Sequence, residues 1–189
     1  METMTIKDEH HEKLREVRAA LLASVDGVGE HDLRRPMTPT GTNLLGLVKH
    51  LVGNEHVYLG ESFGRPSPDV LPWVEDGSVW DGADMWATAD ESSQDILSLY
   101  RRACVHSDET IAALDVDSPG RVPHWPAEKA DTTLGFLLVR MVAETAQHAG
   151  HAEIVRELVD GRAGSDTSDS GTDWSTYTAR IQEAADRWR

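Results

Sequence analysis

The sequence predicts an all-α fold, a four-helix bundle with long crossover loops and a short C-terminal helix. Three observations lead there. Apolar residues recur at spacings of three, four and seven through four long segments. No stretch sustains the period-two alternation that a half-buried strand requires. Pro- and Gly-rich stretches separate the periodic segments. With 189 residues, 39% of them hydrophobic, the chain suits one domain built on one core.

The first helix is expected over 5–28, where Leu14, Val17, Leu21 and Val25 form a stripe and Gly27 and Gly29 can end it. The second runs over 42–63 on Leu44, Leu47, Val48, Leu51, Val57 and Tyr58. A long irregular stretch with Trp73, Trp80 and Trp86 follows; loops of this length in a compact domain are often functional. The third helix is expected to open on a capping box, Thr88 with Glu91 three residues later. The fourth starts near Thr132 and stops at Gly161. The bundle is thus expected over 1–162, a flexible Gly/Ser/Asp-rich linker over 163–173, and a C-terminal amphipathic helix over 174–189 with Trp174, Tyr177, Ile181 and Trp188 on one stripe. That stripe either folds back onto the bundle or makes a homodimer.

Composition removes several function classes. A formal net charge of -15 argues against nucleic acid and anionic membranes as partners. No run approaches the roughly 18 apolar residues of a membrane span. The start of the sequence lacks a basic segment followed by an apolar one, so a cytoplasmic location is expected. The one cysteine, Cys104, rules out an intramolecular disulfide and a Cys-rich zinc site, and reads as a packing residue. Any metal must therefore be held by His, Asp or Glu.

The stretch "VAETAQHAGHAEIVREL" raises that question directly. A helix turns about 100° per residue. Glu144 and His148 are thus about 40° apart, and His151 lies about 60° from His148 in the other sense, so the three share one sector. On the second helix, His50 lies among Leu47, Leu51 and Asn54, while His56 should face elsewhere. One His plus a Glu-x-x-x-His pair can give three ligands to a divalent metal and leave a position open, as catalytic sites do. Spacing alone fits hydrogen-bonded core histidines better still. His10 and His11 are expected to face solvent, and His124 to sit on a loop surface.

"TGTNLLGLVKHLVGNEHVYLGESFGR" and "RMVAETAQHAGHAEIVRELVDGR" together resemble the DinB-like superfamily. The branch is the one with mycothiol-dependent transferases and the metal domain of mycothiol-dependent maleylpyruvate isomerase. The resemblance implies a four-helix bundle with a divalent metal at one end of its core, held by His50, Glu144 and His148. Zinc comes first as the metal, with nickel, iron and manganese as other choices. His151, one turn further along, would be a fourth ligand, a substitute for Glu144, or the catalytic proton-transfer group. Close relatives often carry a His where this chain has Arg140. The implied reaction is thiol S-transfer: mycothiol, activated at the metal, attacks a small electrophile. Asn54 and Arg65 are candidate hydrogen-bonding groups for the thiol, with Trp73, Trp80 and Trp86 as its wall or as caps on the bundle's open end. A metal- and thiol-binding bundle without turnover, and a metal-dependent hydrolase, are the alternatives.

Overall fold

The computed structural model describes residues 4–162 and 172–189. Its elements run α1 (Ile6–Val25), α2 (Glu30–Arg34), α3 (Leu44–Leu59), α4 (Pro72–Glu75), α5 (Ser93–Ala113), β1 (Pro119–Arg121), α6 (Ala127–Ala130), β2 (Asp131–Thr133), α7 (Leu134–Asp160) and α8 (Trp174–Asp186). Among the described residues the protein is all-α apart from one small ribbon, β1 antiparallel to β2 with Gly120 opposite Thr132. The four long helices α1, α3, α5 and α7 form the bundle. α1 packs on α7, α3 on α5, and α3 also meets α7.

Local chemistry sets most helix ends. Thr5 and Asp8 form a capping box on α1. Asn43 caps α3 by accepting from the Gly46 N–H at 2.7 Å. α7 begins at Leu134 because Thr133, closing β2, is its cap; Gly161 ends it in the left-handed region (φ 77°), its N–H donating to the Glu157 carbonyl. The start of α5 departs from expectation. Glu91 does accept from the Thr88 N–H at 2.7 Å, but the helix opens later, on Ser92, which accepts from the Asp95 N–H at 3.0 Å. Glu91 also pairs with Lys49 at 2.9 Å. Lys49 is 2% exposed, so its ammonium needs that carboxylate.

The core has two apolar clusters with a polar layer between them. Leu21, Leu51, Val52, Tyr100, Ala149 and Ala152 belong to one, and Leu14, Tyr58, Leu59, Ile111 and Met141 to the other. Arg18 lies between Leu14 and Leu21, Glu55 between Val52 and Tyr58, and Thr145 between Met141 and Ala149. Arg18 donates to both Glu55 oxygens, at 2.7 and 2.6 Å, and to Asp108 on α5 at 2.6 Å. His11 joins this layer, its Nε2 2.8 Å from Asp108. It does not face solvent as expected, because a carboxylate shared with Arg18 draws the imidazole in. Cys104 also packs beside Glu55, and burial pushes its thiol pKa up, as suits a packing residue.

The long connection between α3 and α5 is tied down onto α3. At Gly46 a Cβ would lie 1.9 Å from the Met85 carbonyl oxygen, so only glycine admits the approach. Asn43 Nδ2 donates to that same carbonyl at 3.0 Å, and Lys49 Nζ to the Trp86 carbonyl at 3.0 Å. Lys49 also lies over the Trp73 ring, 4.4 Å from its centroid.

The expected linker falls mainly on residues 163–171, outside those described. No residue of α8 is buried, and Trp174, Tyr177, Ile181 and Trp188 are all exposed. Docking of α8 back onto its own bundle is therefore not what the structure has. Among the described residues no helix is long and apolar enough to cross a membrane.

Candidate metal centre

α3 and α7 run antiparallel, so residues spaced four apart on each meet as a ladder. His50 meets His148 and Glu144, and Tyr58 meets Arg140. His148 Nε2 is 3.3 Å from Glu144 Oε1, and His50 Nε2 is 3.7 Å from that oxygen. The three donor atoms all lie within 4.8 Å of one another. Ligands about 2.0–2.2 Å from a tetrahedral ion are themselves roughly 3.4 Å apart. The triad thus already has nearly the separations of a coordination shell. All three side chains are only partly buried, so the face away from the helices is open.

The surroundings prepare His50 as a donor. Its Nδ1 is 2.6 Å from Asp84 Oδ2, which can only accept. Asn54 Nδ2 approaches the other ring nitrogen at 3.0 Å, as a donor. Both contacts favour the tautomer with the proton on Nδ1 and the lone pair on Nε2, facing Glu144. A carboxylate behind a ligating imidazole is the usual supporting partner of a metal-binding His. Burial pushes the His50 pKa down, but the hydrogen bond and charge of Asp84, with Glu144 beside it, outweigh burial and hold it above the ordinary value. His148 goes the other way, lowered by burial and then by the nearby His50. Its Nδ1 is buried with no partner. Two imidazoles, one carboxylate and a preset tautomer fit a divalent cation. Protein groups leave this cluster incompletely satisfied.

Other residues expected at the site are distributed unevenly. Asn54 is beside it, through His50. His151 is exposed, its ring edge-on to His148 with centroids 5.7 Å apart. Arg65 is not near it: its Nε donates to Thr110 on α5 at 3.1 Å, and its carbonyl accepts from His106. The α3 register turns that neighbourhood toward α5, as it does His56, which is buried away from the triad. Of the three tryptophans only Trp73 is buried; Trp80 and Trp86 stay exposed. Trp80 lies edge-on to His124, with centroids 6.1 Å apart. His124 is on an exposed loop, as expected, but also leans against Tyr58. Sequence reasoning missed Asp84. It is 34 residues from His50, in an irregular stretch, and the one local hint is Gly46, one turn before His50, whose bare backbone admits the loop.

Fold and site together define a class: a four-helix bundle whose α3/α7 groove carries a His–Glu–His set open to one side. The family model described as Mycothiol-S-transferase matches residues 10–161. The chain belongs to that family, and the matched segment contains α3, α5, α7, most of α1 and the whole triad. No curated protein matches the chain.

Proposed function

We propose that the protein is a metal-dependent transferase that joins the sulfur of mycothiol to a small electrophile. The observation that carries this reading is the convergence of His50, Glu144 and His148 on one point of an open groove, in a chain of this family. These three residues would hold the ion, with zinc the first choice for two imidazoles and a carboxylate. Bound there, a divalent ion supplies Lewis acidity that lets a thiol lose its proton near neutral pH.

The chain's own residues do the rest. Asp84 and Asn54 keep the His50 lone pair on Nε2 and the ring in line. Asn54, beside His50, is also placed to hydrogen-bond an incoming thiol's acyl or sugar groups. His151, exposed and against His148, can take the released proton toward solvent. The rings of Trp80 and His124 stand at the Tyr58 end of the groove, where an organic thiol or electrophile would enter. A free-thiol co-substrate suits the reducing cytoplasm. Pairing of two copies through the exposed apolar residues of α8 belongs to the same reading, and sedimentation with and without 172–189 tests it.

The primary test is metal content by elemental analysis of wild type, His50→Ala and His148→Ala, all purified without chelator or a His tag. Close to one ion per chain in wild type and little in either variant is expected. Mycothiol consumption with an electrophile present, absent in the variants, then supports transfer. Metal without thiol turnover favours a binding bundle. Turnover without thiol favours a hydrolase. No metal after zinc and nickel are added back removes the proposal.

A further inference from the structure

One turn N-terminal to Glu144 on α7, Arg140 sits at the Tyr58 end of the groove. Its guanidinium lies over two rings, 4.7 Å from the Tyr58 centroid and 5.3 Å from that of Trp125. Nη2 donates to the Tyr58 hydroxyl at 3.1 Å. That same nitrogen is 4.0 Å from Glu144 Oε2, the oxygen on the far side of the carboxylate from His148. Nε is buried without an acceptor, and among the described residues Nη1 has no hydrogen bond either. An arginine offers five N–H donors, and this one uses a single well-formed bond. Its guanidinium is nonetheless packed against both rings, so it is held in place with donors to spare.

A purely structural arginine in this protein looks different. Arg18 spends its fork on two carboxylates, Glu55 and Asp108. Arg156 donates to Asp160 and to the carbonyls of Ser24 and Asp26. Arg140 has no such partners, is about a third exposed, and borders the reacting centre.

We propose that Arg140, packed against the Tyr58 and Trp125 rings, determines specificity by binding a single carboxylate on the electrophilic substrate, one helical turn from the candidate metal centre. A planar fork suits a planar carboxylate. One guanidinium beside Glu144, in a chain of net charge -15, does not suit a dianion. One turn is about 5.4 Å, so the electrophilic carbon is close to the carboxylate, as in an α-halo or α,β-unsaturated acid. Beyond Trp125 an open groove of about 720 Å³, lined by Trp125, Lys129 and Phe136 among others, leaves room for an apolar tail.

The inference rests on the transferase reading for its reaction, but not for its binding test. The probe pair is chloroacetate and chloroacetamide, equal in size and different in charge. With either, the mycothiol sulfur forms a bond to the methylene carbon. The carbon–chlorine bond breaks, chloride leaves with the electron pair, and the thiol proton passes to buffer. On metal-loaded full-length protein, each rate is divided by its uncatalysed rate. Wild type is expected to prefer chloroacetate. Arg140→Met should lower the chloroacetate-to-chloroacetamide ratio of kcat/KM by on the order of 10- to 100-fold, mainly through KM. Arg140→Lys should restore part of it.

Calorimetric titration with propionate reads the subsite without chemistry. Binding is expected in wild type and a loss of at least about tenfold in Arg140→Met, with metal content and helicity unchanged. An unchanged ratio, or propionate affinity insensitive to Arg140, overturns the proposal. Loss of metal in both Arg140 variants also overturns it, assigning Arg140 to support of Glu144. No turnover of either electrophile, with Arg140-dependent propionate binding intact, removes the transferase reading and leaves the carboxylate subsite.

Discussion

Two polar clusters interrupt the apolar core, and they are built on opposite principles. In the layer formed by Arg18, Glu55 and Asp108, every charge has a partner of opposite sign. Glu55 is fully buried and both of its oxygens accept from Arg18. In the groove formed by His50, Glu144 and His148, three groups that all need a cation or a proton face one another across an open side. One ring nitrogen there is buried and unpaired, and a neighbouring arginine is underused. A satisfied network fixes helix register; an unsatisfied one is a site waiting for a ligand. The contrast predicts that damage to the first is read in stability and damage to the second in binding.

The largest effect should come from Glu55→Gln. It leaves the 4%-exposed Arg18 with a buried charge half unpaired, at a cost of about 3–5 kcal/mol in urea unfolding. Comparable stability in this variant would break the comparison. Next, His148→Ala should abolish metal retention while leaving metal-free stability within about 1 kcal/mol, because it removes an unsatisfied buried nitrogen along with a long 3.3 Å contact to a partly exposed Glu144. A large destabilisation there would make the triad structural.

Asp84→Asn should weaken metal binding about 10- to 100-fold without removing it, read by competition with a chelator of known affinity. Gly46→Ala should act in the same direction indirectly, by pushing the Met85 carbonyl off α3 and carrying Asp84 away from His50.

The smallest effect concerns pH. Burial raises the Asp108 pKa, but its hydrogen bonds to His11 and Arg18 prevail and lower it below the ordinary 3.8. The stability this gives is fully present above the unfolded value and is lost as pH falls from there through the folded one. Wild type should therefore lose stability below about pH 4 more steeply than Asp108→Asn. Parallel acid-unfolding curves for the two proteins would show that the layer carries no such linkage.

The sequence by itself determined the helices and most of the triad. Period-3.6 stripes are local, and so is the geometry that aligns Glu144 with His148; His50 stood out among the apolar residues of the second helix, and the family resemblance then named it as a ligand. It did not determine what reaches these residues from elsewhere. Thr88 and Glu91 have the spacing of a cap and make one of its bonds, yet α5 starts on Ser92, and the Glu91 carboxylate also reaches Lys49 on another helix. His11 reads as a surface residue until α5 brings Asp108 to it. Arg65 reads as a neighbour of the site until the register turns it to Thr110. Asp84 behind His50, and Trp125 against Arg140, depend on loops closing over a groove. Helix periodicity follows from backbone geometry within a few residues, whereas the partner of a charged or titratable group is chosen by which segments the folded chain brings together.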